Sequence, residues 1–247
     1  MQNNKSKNLR LFCVFGTAPF LKGEKMIILF EDEELVVCVK PVGTLSQGEG
    51  GRSLIKMLGE QTKGEIFPVH RLDREAGGVM VYAKTRAAAA SLSRQAAERK
   101  LQKEYFALIH GVPEEPSAVL EDLLFKDSKS NKVFVVKRER KGVKKAVCEY
   151  ETLLSVPYRE EARSLVKVIL HTGRTHQIRV QFSSRGLPLF GDRKYGAKDS
   201  EKVMALFSCR IGFTHPKTGE KLSFYFDRTE SEPLNMALEA AKSCGRI

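Results

Sequence analysis

The sequence has few cysteines, and none lies where a metal site or a disulfide framework would need it. The five residues are scattered, odd in number and never in a Cys-x-x-Cys pair: Cys13, Cys38, Cys148, Cys209 and Cys244. This pattern excludes the usual zinc sites and disulfide frameworks, so we expect no bound metal and reduced thiols in a cytosol. The sequence also lacks an apolar run long enough to span a bilayer, which argues against a transmembrane protein.

Acidic residues are in the minority. Asp and Glu number 30 against 42 Lys and Arg, which gives a formal net charge of +12. Such an excess attracts polyanions, and nucleic acid is the commonest polyanionic partner of a basic protein. From charge alone, a basic surface that only aids solubility is an equally open interpretation, and a membrane surface is a more distant one.

Residues 1–25 differ from the rest of the chain in pattern. Met1–Arg10 is polar and basic, and the apolar Leu11–Leu21 is interrupted by glycine, threonine and proline. No small-residue cleavage pattern follows, so a secretory signal is poorly supported. Met26 would serve as a start, because a strand-like sequence begins directly after it. We therefore expect residues 1–25 to be a dispensable or disordered leader and residues 26–247 to form a single domain.

Apolar patterning and turn residues predict an α+β fold. Strands are predicted at Ile27–Phe30, Leu35–Val39, Val79–Ala83, Lys103–His110, Val133–Val136, Ala146–Leu154, Ser164–Leu170, Met204–Phe213 and Lys221–Phe226. Helices are predicted at Ser53–Gly59, at Arg86–Arg99 after a Thr85 cap, at His176–Arg185 after a Thr175 cap, and at Pro233–Cys244. Many strands, few helices and no strict alternation between them indicate a largely antiparallel sheet.

The most informative stretch is Phe67–Thr85, in which one short acid, Asp73, stands between Arg71 and Arg74. Nearby positive charge favours the ionised form of a carboxyl group, and an ionised Asp is a usable nucleophile or base. The small residues Ala76–Gly78 follow, and they allow a large substrate or another backbone to approach closely. Taken alone, a solvated Arg-Asp-Arg turn is the simpler interpretation.

Four motifs together resemble the RluA-type family of pseudouridine synthases. They are Lys40–Gly43, His70–Asp73, Lys103–Ala107 and Leu170–Val180, and they occur in the family's order between Leu35 and Gly196. The strings His-Arg-Leu-Asp and Thr-Gly-Arg-Thr-His-Gln-Ile-Arg are the specific ones. One departure is that the family's usual Thr-Ser-Gly after the catalytic Asp is Ala76–Gly78 here. The change removes two hydroxyls and indicates a subgroup difference.

The resemblance implies an isomerase that converts specific uridines in structured ribosomal or transfer RNA to pseudouridine. It implies a largely antiparallel central sheet flanked by helices, with a catalytic cleft across the sheet. The reaction breaks the C1′–N1 bond and makes a C1′–C5 bond without redox or group transfer, so no cofactor is expected. Residues 26–247 would then be the single catalytic domain, with no accessory RNA-binding domain at its N-terminal side.

By resemblance, three residues carry the chemistry. Asp73 is the catalytic carboxylate, acting either as a nucleophile or as a base toward the ribose. Tyr105 stacks on the uracil and assists a proton transfer at C5, although its strand pattern alone would make it a core tyrosine. Arg179 pairs with the Asp73 carboxylate through two hydrogen bonds, which fixes its orientation and keeps it ionised.

Three further residues are expected to bind the RNA. The target base must leave its stack, at a cost on the order of a few kcal/mol, and Arg71 is expected to fill the vacated space or hold the flipped nucleotide. Arg174 and His176 lie at the start of a predicted helix, where free N–H groups attract phosphate. A capping or packing role for His176 is an equal alternative, and Asp192 is interpreted as part of a structural turn.

The stretch Lys126–Lys145 is dense in cations and predicts a β-hairpin or loop with a cationic rim. We expect RNA as the partner of a cytoplasmic monomer, with no membrane and no obligate protein partner. A catalytically silent RNA-binding module is the alternative function, and the joint presence of Asp73, Tyr105 and Arg179 argues against it. A magnesium-dependent phosphotransferase would need further acids where Asp73 has arginines.

Overall fold

The computed structural model describes residues 9–13, 26–48, 52–158 and 161–247. Contacts between Cα atoms group the chain into two compact units. Unit 1 comprises the described residues within Met1–Arg74, Gly78–Lys103 and Cys209–Phe226, and unit 2 those within Glu75–Gly77, Glu104–Ser208 and Asp227–Ile247. The division of the chain into a leader and a single catalytic domain stays a prediction.

Strands and helices alternate irregularly along the described chain. The strands are β1 (Leu9–Cys13), β2 (Ile28–Glu31), β3 (Leu35–Lys40), β4 (Phe67–Pro68), β5 (Gly77–Ala83), β6 (Gln102–His110), β7 (Ser117–Asp127), β8 (Lys132–Val136), β9 (Val143–Tyr158), β10 (Glu161–Leu170), β11 (Leu206–Thr214) and β12 (Lys221–Tyr225). The helices are α1 (Leu54–Thr62), α2 (Arg86–Ala97), α3 (Gln177–Ser183) and α4 (Glu232–Ser243), with a 3₁₀ turn at Arg193–Tyr195. The predicted α+β class is confirmed.

In unit 1, β3 pairs antiparallel with β2 and β5, and the short β4 pairs antiparallel with β5. All residues of β3 and of β5 are buried. Continuous apolar runs such as Leu35–Val39 are typical of strands that are covered on both faces. The connection that carries Asp73 therefore leads into a strand that is buried along its whole length.

In unit 2, antiparallel pairing joins β6 to β10, β10 to β9, β9 to β7 and β7 to β8. One face of this sheet packs against α3 and the 3₁₀ turn. The buried cluster consists of Leu124, Val133, Ala146, Val180 and Tyr195. This packing brings the Thr-Gly-Arg-Thr-His-Gln-Ile-Arg motif against the sheet that carries the cationic stretch Lys126–Lys145. That stretch forms the end of β7, all of β8 and the start of β9, and we call it the hairpin.

The observed cap agrees with the predicted one for α2 and differs from it for α3. The Thr85 hydroxyl accepts the Ala88 N–H at 3.1 Å, as predicted, although α2 ends at Ala97, two residues earlier than expected. The predicted Thr175 cap is wrong, because α3 begins after His176. His176 has left-handed backbone angles (φ 51°) and makes no side-chain capping bond.

The expected leader contains structure. β1 pairs in parallel with β12, with Leu9 opposite Lys221 and Cys13 opposite Tyr225. The remaining residues before Met26 lie outside the described part of the chain. Whether residues 1–25 are dispensable stays a prediction. Because β1 pairs with β12, removal of these residues should change the stability of the protein.

Candidate active site

Asp73 lies half-buried in the connection from β4 to β5, and the residues on either side of it are held by one loop. On one side, the Leu72 N–H donates to the Ser46 hydroxyl (3.0 Å), which donates to the Leu72 carbonyl (2.7 Å). On the other side, the Arg74 carbonyl accepts the Gly43 N–H at 2.8 Å. The backbone at Asp73 is therefore fixed from both directions, which is what a catalytic carboxylate needs for a defined orientation.

Lys40 explains why the loop from Pro41 to Ser46 keeps its shape. Its side chain is fully buried, and its ammonium donates to the carbonyls of Pro41 (3.0 Å), Thr44 (2.7 Å) and Arg74 (3.3 Å). A buried charge is costly unless hydrogen bonds compensate it, and here three carbonyls do so. The first motif, Lys40–Gly43, thus supports the chain next to Asp73.

His70 extends the pairing of β4 with β5 by its side chain. β4 ends at Pro68, opposite Tyr82, and the next amide of β5, the Val81 N–H, donates to the His70 Nε2 at 3.2 Å. A nitrogen that accepts carries no hydrogen, so the neutral ring is protonated at Nδ1. Burial, together with the charge of Lys103, lowers the pKa of His70 to about 3. His70 is therefore neutral near pH 7.

Arg71 is exposed, and no hydrogen bond or ion pair joins its guanidinium to any other residue in the described ranges. An exposed cation two residues before Asp73 remains available for a ligand. Its predicted role in holding a flipped nucleotide stays a prediction.

In unit 2, Arg179 makes a paired contact, but with Asp192. The Arg179 Nε donates to Asp192 Oδ2 at 2.7 Å and the Nη2 to Oδ1 at 2.8 Å. Both side chains are buried, while the exposed Glu75 places a carboxylate oxygen 3.5 Å from the Arg179 Nη1. Two parallel hydrogen bonds fix the plane of a guanidinium. Asp192, interpreted as a turn residue, therefore also sets the orientation of Arg179.

The turn before Asp192 is itself constrained. The Gly191 N–H donates to both carboxylate oxygens of Asp199 at 3.1 Å, and Gly191 has a positive φ of 74°. A Cβ at this position would come within 2.6 Å of the Val203 carbonyl oxygen. Only glycine fits such a conformation without strain. The position of Asp192 is therefore defined by the backbone that precedes it.

Tyr195 connects the helix that carries Arg179 to the hairpin. Its hydroxyl accepts the Val133 N–H (2.9 Å) and lies 2.8 Å from the His176 Nδ1. The Arg179 guanidinium carbon lies 5.1 Å from the Tyr195 ring centroid, within the range of a cation–π interaction. We call His176, Arg179, Asp192 and Tyr195 the α3 cluster. His176 is buried in it, which supports the packing alternative of the sequence interpretation.

Arg174 is half-buried and lies in the turn before α3. Its Nε donates to the Lys145 carbonyl (3.0 Å), while its backbone N–H donates to the Gln177 side-chain oxygen (3.0 Å). The Thr172 hydroxyl donates to the same oxygen at 2.7 Å. Gln177, rather than Thr175, therefore organises this turn. Phosphate binding by Arg174 and His176 stays a prediction.

Tyr105 lies on β6, opposite Val168 of β10, and is buried. This placement agrees with a tyrosine in a strand, and its predicted pocket role stays a prediction. Asp73 and Arg71 belong to unit 1, whereas Tyr105, Arg174, His176 and Arg179 belong to unit 2. The pairing of Arg179 with Asp73 likewise stays a prediction.

Sequence reasoning missed five supporting residues: Lys40, Ser46, Asp192, Tyr195 and Gln177. Lys40 directly follows a predicted strand, and its charge gave no sign that its side chain would be buried. The motifs contained two of these residues, Lys40 and Gln177, but gave no partner for them. The spacing of Gly191-Asp192 before Tyr195 was the one available signal, because a glycine beside a short acid is typical of a constrained turn.

Two further observations concern the described residues. They contain no group of three His, Cys, Asp or Glu side chains arranged to hold a metal ion. None of their helices combines the length and the apolar character that crossing a bilayer requires.

Comparison with known proteins identifies close sequence relatives. The family model described as RNA pseudouridylate synthase matches residues 34–184. An uncharacterized RNA pseudouridine synthase of Aquifex aeolicus is 36% identical over 225 residues, covering 83% of this chain and 70% of that protein. Ribosomal large subunit pseudouridine synthase C of Pasteurella multocida is 38% identical over 207 residues, covering 79% of this chain. The same-named protein of Buchnera aphidicola is 34% identical over 208 residues.

This chain covers less than two thirds of the length of these two synthase C relatives, 62% and 65% respectively. Their substrate is therefore a matter of proposal for this chain.

Solved structures agree on the fold. Human RNA Pseudouridylate Synthase Domain Containing 1 superposes with a TM-score of 0.72 at 22% identity, covering 92% of this chain and 98% of that one. Human RNA Pseudouridylate Synthase Domain Containing 4 gives 0.69 at 24% identity, covering 87% and 93%. Identities at this level establish the fold alone.

The four motifs occur in order, the structure has the expected α+β class, and the family model covers more than half of the chain. The chain therefore belongs to the RNA pseudouridylate synthase family, as its resemblance to the RluA-type members predicted.

Proposed function

We propose that this protein isomerises specific uridines of ribosomal RNA to pseudouridine, with Asp73 as the catalytic carboxylate, and that it acts as a cytoplasmic monomer. Family membership supports the reaction. The names of the relatives from Pasteurella and Buchnera support ribosomal RNA of the large subunit as the substrate, ahead of transfer RNA.

The observation that carries the proposal is the way the backbone around Asp73 is held. Leu72 is bonded through both its N–H and its carbonyl to Ser46, and the Arg74 carbonyl accepts from Gly43 and from buried Lys40. A solvated turn has no need of such supports, whereas a reacting carboxylate gains from a fixed position. This argues for the catalytic interpretation over the solvated turn.

The reaction breaks one bond between the ribose and the uracil and forms another between the same two groups. The C1′–N1 bond breaks, the uracil rotates, C5 bonds to C1′, and the hydrogen at C5 leaves while N1 gains one. Asp73 would either attack C1′, forming an ester that C5 displaces, or remove a proton from the ribose and return it when C5 bonds to C1′. Tyr105 would stack on the detached uracil and take part in the transfer at C5. Arg179, whose plane Asp192 fixes, would hold the Asp73 carboxylate.

Mapping pseudouridines in cellular RNA tests the proposal. Ribosomal RNA from cells without the gene should lack specific pseudouridines, which the wild-type gene and a Glu65→Gln variant restore and an Asp73→Asn variant does not. Glu65 is an exposed acid two residues before β4, and its substitution removes the same charge as Asp73→Asn. Loss confined to transfer RNA would contradict the ribosomal substrate, and no loss in either RNA would contradict the activity.

A further inference from the structure

The sheet of unit 2 has a second face that the α3 cluster does not cover. Residues alternate between faces along a strand, so Leu124 and Val133 face α3 while Phe125 and Phe134 point the other way. Register places Phe125 directly opposite Phe134 on β8 and opposite Val143 on β9. We call this second face, formed by Leu123, Phe125, Phe134, Val136 and Val143, the open face.

The open face is apolar and aromatic, yet it is accessible. Phe134 is 42% exposed, and the other four residues are partly exposed. β8 is the last strand of the series β6-β10-β9-β7-β8, and its neighbour in that series is β7. A contiguous apolar patch, unlike a single exposed apolar side chain, is typical of a surface that binds a partner.

The stretch that contributes Phe134 to this face is rich in cations. Residues 126–145 contain nine Lys and Arg against two acids, a net charge of +7 within a chain of net +12. The Arg140 guanidinium carbon lies 4.5 Å from the Phe125 ring centroid, and the Lys132 ammonium lies 5.8 Å from that of Phe134. Aromatic rings interleaved with basic side chains are typical of grooves that bind single-stranded nucleic acid.

Charge decides between RNA and a second copy of this chain. Protein interfaces are depleted in lysine at their core, and two copies would bring like charges of this density together. RNA instead supplies the opposite charge and flat bases that stack on an exposed ring. A regular A-form duplex offers its bases poorly for stacking, so the matching ligand is an unpaired segment.

We propose that the open face is a stacking platform for unpaired bases of the RNA substrate, with Phe134 as the stacking ring and the surrounding Lys and Arg as phosphate contacts. The inference rests on the proposed function for its RNA ligand, and it adds where and how flanking nucleotides are held. Every base has a π-face, so the platform should tolerate sequence and favour single-stranded character.

A tryptophan reporter tests stacking directly, because the chain contains no tryptophan. In a Phe134→Trp variant, a short oligouridylate should quench the fluorescence, whereas heparin, a polyanion without bases, should bind without comparable quenching. The matched control is Met236→Trp on α4, where the native side chain is 58% exposed and lies outside the hairpin. Oligouridylate should leave the emission of that variant unchanged.

Truncation of the ring gives the complementary readout. Phe134→Ala should weaken oligouridylate binding by about 5- to 150-fold, the range measured for loss of one base–aromatic stack. The dependence of affinity on salt should stay the same, because the phosphate contacts remain. Phe134→Tyr should restore the affinity, and Met236→Ala should not alter it.

Several outcomes separate this inference from the proposed function. RNA binding or pseudouridine formation with unquenched emission in Phe134→Trp would overturn the platform alone. A concentration-dependent emission shift without RNA would overturn it in favour of contact between copies. Failure to bind any RNA, together with no pseudouridine formation, would overturn both.

Discussion

His70 is the residue whose protonation state the structure constrains most directly. Its Nε2 accepts the Val81 N–H, so the protonated ring would place a hydrogen against another hydrogen. Its Nδ1 is buried, and no hydrogen-bond partner reaches it from the described residues. The ring thus supports the chain three residues before Asp73 only while it is neutral.

A pH dependence of stability follows. The unfolded His70 binds its proton near pH 6.5 and the folded one near pH 3, so between these values the unfolded chain holds more protons. The free energy of unfolding should therefore fall as the pH is lowered through this window, and His70 should add no slope above it. Urea denaturation of wild type and His70→Gln measures the difference, because the Gln oxygen can accept the Val81 N–H without titrating. Equal slopes in both proteins would contradict this role.

Asp192 and Glu75 contact the same guanidinium and differ in burial, so the stability costs of removing a buried and an exposed partner can be compared. Asp192→Ala leaves buried Arg179 without its bidentate partner and should cost about 3–5 kcal/mol of stability. Glu75→Gln removes an exposed contact and should cost less than about 1 kcal/mol. Chemical denaturation measures both. A small loss in Asp192→Ala would show that Asp192 is only a turn residue.

At the scale of elements, β1 alters what truncation should do. Removing residues 1–25 would leave the β12 edge, Lys221–Tyr225, without its parallel neighbour. We expect pseudouridine formation to persist and the Tm to fall, by about 2–4 °C for each kcal/mol of stability that the pairing supplies. A thermal scan of a chain that begins at Met26 measures this. An unchanged Tm would mean that the β1–β12 pairing contributes nothing.

The hairpin from β7 to β9 should contribute to affinity through charge. Replacing Lys137, Arg138, Arg140 and Lys141 with Gln should flatten the log–log dependence of RNA affinity on salt by about 0.7 for each phosphate that these side chains neutralise in the wild type. It should raise KM and leave single-turnover chemistry at saturating RNA nearly intact. Filter binding at several salt concentrations measures the slope.

The control for that variant removes the same charge from exposed positions of unit 1: Lys56, Lys63, Arg94 and Arg99. If both quadruple variants flatten the slope equally, the effect belongs to net charge and not to the hairpin.

Local patterns predicted most elements, and the exceptions have physical causes. Continuous apolar runs identified β3 and β5, because strands buried on both faces require them. β7 was missed because Glu121, Asp122 and Asp127 interrupt its pattern, and pairing with β8 and β9 stabilises it despite those acids. The cap of α3 was missed because the Gln177 side chain, rather than Thr175, organises the preceding turn.

At the scale of the whole molecule, the motifs identified the family and the candidate residues, but not their supports. Short strings specify which side chains are present, whereas the partners of Ser46 and Arg179, and the Arg74 carbonyl that Lys40 contacts, lie further along the chain. Asp192 is 13 residues from Arg179, and Ser46 is 26 residues from Leu72. Such contacts depend on the fold, so no single-sequence pattern reveals them.

The central claim is that Asp73 catalyses the isomerisation of uridine. The C5 hydrogen must leave when C5 bonds to C1′, so tritium release from RNA that carries [5-³H]uridine reports the reaction itself. Wild type and Glu65→Gln should release tritium from ribosomal RNA transcribed without modifications, and Asp73→Asn should release none while still binding that RNA. Near-normal release by Asp73→Asn would contradict the account.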